Sequence, residues 1–173
     1  MSIRNKYESE LKQVFDKLIA MCHETELAIE RSVCALKTRD GDLARSVMAD
    51  DTKIDAMERD IEQDCLKILL LEHPFAGDFR DVSAALKMIT DLERIADQAA
   101  DISEISLQFG QDEFIKEPQH IEEMSKLVIA MVLDAVTSYI NRDLTTARGL
   151  DKRDDVVDEL FETVKTDLVE LIR

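Results

Sequence analysis

Acidic side chains recur in two stretches of the sequence at the spacing of one helix face. The first row advances by steps of four, three and four residues and consists of Asp51, Asp55, Glu58 and Glu62. The second row consists of Glu93, Asp97 and Glu104, with Asp101 close by. Two such rows on adjacent helices can offer several oxygen ligands to cations, and without a cation or protons the carboxylates repel each other. Acidic neighbours are also ordinary on helix surfaces, so the spacing alone leaves a solvated acidic face as the alternative.

The other reactive side chains form no recognisable catalytic set. The three histidines, His23, His73 and His120, lie on different predicted elements. A Glu-x-x-His segment ends at His120, but carboxylate-bridged di-iron proteins need this motif on two helices, and here Pro118 interrupts the one copy. With 4 glycines, the chain also has no glycine-rich phosphate loop. The sequence therefore predicts a protein that is not an enzyme, with a metal-binding bundle of the ferritin-like, carboxylate-bridged type as the alternative.

Charge and composition narrow the class of protein further. The 173 residues include 22 Lys+Arg and 38 Asp+Glu, for a net charge of −16. This balance argues against a nucleic-acid-binding protein and favours cations or basic surfaces as partners. The hydrophobic content of 45% is too high for a disordered chain, and the charged content of 35% is too high for a membrane protein.

Several features of the sequence predict a cytoplasmic protein. Residues 1–13 lack the apolar stretch of a secretory signal, and no segment approaches the roughly 20 apolar residues of a membrane span. The cysteines, Cys22, Cys34 and Cys65, are odd in number and never form a Cys-x-x-Cys pair. We therefore expect a reducing compartment, with these residues as buried structural thiols.

Apolar periodicity predicts the elements that must position these side chains. Apolar residues recur every three to four positions in five stretches, at about 11–36, 43–71, 82–106, 118–141 and 144–173. The first stretch stops at a turn signal, 39–42, where Gly41 is predicted to be the left-handed residue that ends the helix. The second stops at His73-Pro74, because proline lacks an amide hydrogen and disfavours helix at the residue before it.

These stretches predict an all-α protein built from long antiparallel helices. Helices joined by a few residues are antiparallel neighbours, so 1–108 is expected to form a three-helix bundle. A polar, acidic segment containing Gly110 follows, and 109–117 is predicted to be a linker. The remaining residues, 118–173, are predicted to form two helices of a second, partial bundle.

An internal repeat relates the two units at an offset of 103 residues. At this offset Arg39-Asp40 falls on Arg142-Asp143, Asp51 and Asp55 fall on Asp154 and Asp158, and Ile54 and Ile61 fall on Val157 and Val164. Two amphipathic helices always align loosely, but matching turn residues favour a true repeat. The last residue then corresponds to Leu70, so the second unit is predicted to lack its third helix. Either the chain is a truncated two-unit protein, or another chain completes the second bundle. The apolar stripes left uncovered predict a homodimer or a domain-swapped pair.

The combined motifs resemble the PhoU family of phosphate-specific transport regulators. The segment His73–Arg80 (HPFAGDFR), followed by Ala85–Ala99 (ALKMITDLERIADQA), is similar to the family pattern Pro-x-Ala-x-Asp-Leu-Arg, Ala-Leu-Lys and Asp-Leu-Glu-Arg-Ile-Gly-Asp-x-Ala. Asp51–Asp55 (DTKID), with Glu58 after it, is similar to the other acidic motif of the family. The resemblance covers 5–108 and continues through the partial repeat.

The resemblance implies tandem three-helix bundles whose acidic motifs hold divalent or iron-type metal ions, such as Mg, Mn, Fe or Zn. Carried over by position, the candidate ligands are Asp51, Asp55, Glu93 and Asp97 in the first unit, and Asp154 and Asp158, with Asp155 close by, in the second. The implied role is to restrain the phosphate-starvation response by linking the phosphate-sensing histidine kinase to the ATPase of the phosphate ABC transporter. Such a protein reaches the membrane only through these partners.

Two departures from the family pattern stand out. Ala96 replaces the usual glycine of Glu-Arg-Ile-Gly-Asp, which adds a methyl group where helices approach closely. The second Glu-Arg-Ile-Gly-Asp helix is missing, so the second metal site is expected to be half built.

Overall fold

The protein folds into five long helices in a computed structural model that describes residues 3–71, 76–109 and 119–173. The helices are α1 (Ile3–Thr38), α2 (Gly41–Leu71), α3 (Ala76–Gln108), α4 (Gln119–Asn141) and α5 (Leu144–Ile172). No strand occurs among the described residues. The predicted all-α architecture, with a three-helix bundle followed by a two-helix unit, is confirmed. The predicted break at His73-Pro74 and all of the predicted linker except Phe109 lie outside the described residues.

None of the helices in the described part of the chain has the combination of length and apolar character needed to cross a membrane.

The turn between α1 and α2 corrects the prediction for Gly41. Arg39 adopts the left-handed conformation, with φ of 56°, and Gly41 is the first residue of α2. The Asp40 carboxylate caps α2 by accepting hydrogen bonds from the amides of Asp42 and Leu43, both at 3.0 Å. An N-cap residue such as Asp40 has an extended backbone. The left-handed residue therefore directly precedes Asp40, at Arg39. The prediction that Gly41 is the left-handed residue is therefore wrong, and the Arg-Asp pair marks this turn.

The turn between α4 and α5 repeats this geometry 103 residues later. Arg142 also has φ of 56°, and Asp143 is the N-cap of α5. Its carboxylate accepts from the amides of Thr145 and Thr146 at 2.9 and 3.1 Å. The same strained residue and the same cap at equivalent positions support the internal repeat.

The core of the first bundle lies where the apolar stripes of α1, α2 and α3 meet. Its largest fully buried side chains include Leu18, Met21, Ile61, Ile68 and Ile89. All three pairs among these helices are in contact, so α3 covers the groove between α1 and α2.

Two of the three thiols lie in this core, as predicted. Burial raises the pKa of the Cys22 thiol to about 12 and that of the Cys65 thiol to about 11, with nearby acidic side chains adding to both shifts. Both are therefore uncharged, unreactive core groups at neutral pH. Cys34 is exposed, so the prediction that all three are buried is wrong there.

Helix α4 packs on the outside of α1 and extends the same core. Val132 and Val136 join the hydrophobic cluster of the first bundle. The rings of Phe15 and Tyr139 meet edge to face with centroids 5.5 Å apart. The Tyr139 hydroxyl donates to the backbone carbonyl of Asp81, which fixes the contact between α4 and the start of α3. The two units are thus joined by packed side chains as well as by the chain connection.

We predict that Asp40→Ala lowers the free energy of unfolding by about 0.5–2 kcal/mol, because two amides of α2 lose their acceptor. Asp40→Asn keeps an oxygen acceptor and serves as the matched control, with a much smaller expected change. Urea denaturation followed by far-UV circular dichroism measures both variants. Equal stability of Asp40→Ala and wild type would show that the cap does not hold this turn.

Candidate functional site

The acidic rows of α2 and α3 meet along the seam where the two helices pack. Asp51, Asp55 and Asp97 each place one carboxylate oxygen so that all three oxygens lie within 4.8 Å of one another. All three side chains are half-buried, because the rows border the apolar stripes that α2 and α3 bury against each other. The prediction that these carboxylates from two helices face one another is correct for this trio.

Glu93, the fourth predicted ligand of the first unit, lies one helical turn from Asp97 on α3 and is also half-buried. Desolvation raises the pKa of its carboxyl group, and the charges of Asp97, Glu58, Asp55 and Asp51 raise it further. The negative charges of the trio therefore act on Glu93, although Glu93 is not one of the three residues whose oxygens lie within 4.8 Å of one another.

Crowding of like charges also perturbs the trio itself. Desolvation raises the pKa of the Asp51 carboxyl group, and the charges of Asp97, Asp55 and Asp101 add to the shift. A raised carboxyl pKa means that the ionised form is destabilised in the fold. Protons or a cation at this seam would relieve the repulsion.

At the seam between α1 and α2, the acidic residues of α2 are paired with basic residues of α1. Lys17 Nζ lies 2.6 Å from a carboxylate oxygen of Asp60 and 2.6 Å from one of Asp64. A guanidinium nitrogen of Arg31 lies 2.6 Å from a carboxylate oxygen of Asp50. Cationic side chains thus neutralise the acids of α2 on this side. At the seam with α3, a guanidinium nitrogen of Arg59 lies 3.8 Å from a carboxylate oxygen of Asp55, a looser contact than those on the other side.

The donor set suits a hard metal ion. The trio offers only carboxylate oxygens, which are the ligands that Mg²⁺, Ca²⁺ and Mn²⁺ prefer, although such a site does not exclude Fe or Zn. Within the described residues, no histidine or cysteine joins a group of three potential metal ligands. His120 lies on α4 beside Glu123, 3.8 Å away, and is not part of the acidic seam. The described residues therefore give no support to the ferritin-like alternative.

The predicted ligands of the second unit lie in a different setting. Asp154, Asp155 and Asp158 are exposed on α5. No group of three potential ligands within the described ranges includes any of them. Phe161 and Lys165 occupy the positions equivalent to Glu58 and Glu62. The second half of the acidic row of α2 therefore has no acidic counterpart on α5. Metal binding by Asp154 and Asp158 stays a prediction.

Comparison with known proteins agrees with this architecture. The sequence model of the PhoU domain matches residues 18–106 and 121–173, which together form most of the chain. The chain belongs to the PhoU family. The second match begins 103 residues after the first, at the offset of the internal repeat, and covers the counterparts of α1 and α2.

Individual PhoU relatives cover nearly the whole chain. The phosphate-specific transport system accessory protein PhoU homolog of Aquifex aeolicus is 34% identical over 164 residues, which are 95% of this chain and 74% of the relative. The homolog of Clostridium acetobutylicum is 29% identical over 170 residues, which are 98% of this chain and 78% of the relative. A phosphate-specific transport accessory protein is therefore the supported class of function.

Solved PhoU structures share the fold. The crystal structure of PhoU from Pseudomonas aeruginosa superposes with a TM-score of 0.90 at 29% identity, over 96% of this chain and 80% of that chain. PhoU from Streptococcus pneumoniae gives a TM-score of 0.88 at 21% identity, over 95% of this chain and 78% of that chain, and its likeness extends to the fold alone.

We predict that Asp51→Asn stabilises the cation-free protein at pH 7 by about 0.2–1 kcal/mol, the range for solvent-screened charge pairs. The carboxyl pKa of Asp51 is raised in the fold, so its ionisation costs stability above the folded-state pKa. That cost shrinks as pH falls through the raised pKa and disappears once the group is protonated in both states. Urea denaturation in EDTA at a series of pH values measures the difference.

Glu104→Gln is the matched control for this prediction. Glu104 lies exposed on α3, outside the trio, and its replacement should leave stability nearly unchanged. A loss of stability in Asp51→Asn at neutral pH, under the same cation-free conditions, would contradict the proposed crowding of charge.

Proposed function

We propose that the protein is a non-enzymatic, cytoplasmic regulator of phosphate uptake that restrains the phosphate-starvation response. It does so by engaging the phosphate-sensing histidine kinase and the ATPase of the phosphate ABC transporter. The observation that carries this proposal is the family match over both units, together with relatives described as phosphate-specific transport system accessory proteins. Long helices with a common core present rigid surfaces of the kind that an adaptor needs.

The same proposal includes a divalent or iron-type metal ion at the α2–α3 seam. Asp51, Asp55 and Asp97 would hold the ion, and Glu93 stands close enough to add to their negative field. The ion would supply positive charge at a surface that otherwise repels anionic partners. Metal occupancy would thus set the charge of the face formed by α2 and α3, and we propose that partners distinguish the two states.

Metal binding is tested by calorimetric titration with Mn²⁺ and Mg²⁺ at pH 7. We expect the wild-type chain to bind and the triple variant Asp51→Asn, Asp55→Asn, Asp97→Asn to lose at least about tenfold in affinity, because each carboxylate supplies an anionic ligand. Glu62→Gln, an exposed site two helical turns from Asp55, is the matched control and should bind as wild type does. Unchanged binding in the triple variant would place the metal elsewhere.

The regulatory proposal is tested by a pull-down with purified transporter ATPase and histidine kinase. We expect the wild-type chain to retain at least one of the two partners. A variant with Asp51, Asp55, Glu93 and Asp97 all changed to their amides should retain several-fold less in the presence of Mn²⁺. Failure of the wild-type chain to bind either protein would count against the adaptor role, whatever the outcome of the metal titration.

We also propose that the regulator acts as a homodimer. The support for this is the apolar surface on α5, which includes Phe161, Leu168, Leu171 and Ile172 among its exposed large side chains. Exposed apolar surface of this kind marks a site of protein–protein interaction.

A further inference from the structure

Three large apolar side chains are exposed at one end of the seam between α2 and α3. Leu66 is 46% exposed, Leu70 is 72% exposed and Phe79 is 53% exposed, and we call these three residues the apolar patch. Leu69 and Leu86, in the same stretches of the two helices, are half-buried and pack against the core. Clustered exposed apolar side chains are typical of a site of protein–protein interaction.

The register of the two helices brings the apolar patch to one end of a common surface. The Thr90 hydroxyl of α3 donates to the Glu58 carboxylate of α2 at 3.0 Å, which places these two residues at the same level. Sequential helices of a bundle that are joined by a short connection run in opposite directions. Leu70 of α2 is therefore level with the first turn of α3, which contains Phe79.

The acidic rows continue this surface away from the apolar patch. At about 100° per residue, Leu66 lies within about 40° of Glu62 around the axis of α2, and Phe79 lies within about 40° of Glu93 around the axis of α3. Within the described ranges, neither Glu62 nor Glu93 forms an ion pair with a basic side chain. The surface is thus apolar at one end and carries unpaired negative charge along the rest of its length.

Charge and shape decide between the possible occupants of this surface. A second copy of the chain has a net charge of −16, and nucleic acids and anionic membranes are also negative, so unpaired carboxylates repel all three. A partner with basic side chains is attracted instead. The groove between α2 and α3 measures about 30 Å from Leu70 to Asp51 at 1.5 Å per residue. A helix of about 20 residues, lying lengthwise against the two helices, spans it.

We propose that the surface formed by the apolar patch and the neighbouring acidic residues binds a basic amphipathic helix of a partner protein. Leu70 and Phe79 contact apolar side chains at one end of that helix, and Glu58 and Glu62 pair with lysine or arginine side chains further along it. The inference deepens the proposed function by naming the docking surface. It rests on the proposed function only for the identity of the protein that carries the helix.

The test is the fluorescence anisotropy of a labelled synthetic peptide titrated with the full chain in EDTA at pH 7. The peptide has about 20 residues of Ala, Leu and Lys, with Leu along one helical face at one end and Lys along the same face at the other. We expect the wild-type chain to bind it at least about tenfold more tightly than a scrambled peptide of the same composition. Leu70→Ser, Phe79→Ser should lose at least about tenfold in affinity, because a few apolar anchors carry most of the binding energy. Leu27→Ser, Ile105→Ser, which changes two exposed apolar residues elsewhere on the first bundle, is the matched control and should bind as wild type does.

Charge reversal tests the acidic part of the surface with the same peptide. Glu58→Lys, Glu62→Lys should weaken binding at least about tenfold, because like charges then meet at the surface. Asp16→Lys, Glu30→Lys changes two exposed acids of α1 and alters the net charge equally, so it should weaken binding less than about threefold. Far-UV circular dichroism checks that every variant keeps its helices. Equal binding by the two charge variants, or by the two apolar variants, would overturn the inference.

Sedimentation equilibrium without the peptide distinguishes a partner helix from a second copy of the chain. The mass should be the same for wild type and for Leu70→Ser, Phe79→Ser. A dimer that this variant loses would show that a second copy covers the apolar patch, and the inference would be wrong.

A pull-down with purified transporter ATPase and histidine kinase separates this inference from the proposed function. We expect Leu70→Ser, Phe79→Ser to retain several-fold less partner than wild type or Leu27→Ser, Ile105→Ser. If wild type retains neither protein but binds the peptide through the apolar patch, the proposed function fails and the docking surface stands. If wild type and Leu70→Ser, Phe79→Ser retain a partner equally and bind the peptide equally, the adaptor role stands and the docking surface fails.

Discussion

The packing of α3 across α2 is the contact on which the rest of this structure depends. It buries the apolar stripe of α2, closes the first bundle and presses two rows of carboxylates together along its border. The second unit has the counterparts of α1 and α2 without a described third helix. Among the described residues, apolar side chains of α5 such as Phe161 and Leu168 are exposed, and Asp154 and Asp158 belong to no group of three potential metal ligands.

Magnitudes explain why the acidic seam does not unfold the bundle. Each fully buried isoleucine or leucine contributes about 1.5–3 kcal/mol, and Ile54, Ile61 and Ile68 are all buried along α2. Repulsion between partly exposed carboxylates is screened by solvent and costs about 0.2–1 kcal/mol for each pair. Apolar burial therefore holds the seam closed without a cation. The residual repulsion is small, and protons or a cation at the seam would relieve it.

Sequence patterns were sufficient for the features that depend on helix periodicity. Apolar spacing predicted the five helices, and the Arg-Asp match predicted the repeat that both turns confirm. Periodicity also placed Asp51, Asp55 and Asp97 beside the core, where the packing of two helices brings them together. The exchange of Glu58 for Phe161 between the units is visible in the sequence at the offset of 103 residues.

Other features depend on contacts that a periodic pattern does not encode. The left-handed residue is Arg39 because the Asp40 cap determines where the backbone must reverse, and Gly41 drew attention to the wrong position. The packing of α4 against α1 through Phe15 and Tyr139 joins segments more than 100 residues apart. Nothing in the spacing of either helix specifies that pairing, since both present several apolar positions on more than one face.

The most direct test of the acidic seam is anomalous diffraction from crystals of the full chain soaked in Mn²⁺ and measured at the manganese absorption edge. The packing of α3 on α2 predicts a peak about 2.0–2.6 Å from carboxylate oxygens of Asp51, Asp55 and Asp97. The absence of a peak at this seam, with manganese bound at other carboxylates of the same chain, would contradict the claim that helix packing makes these three acids a metal site.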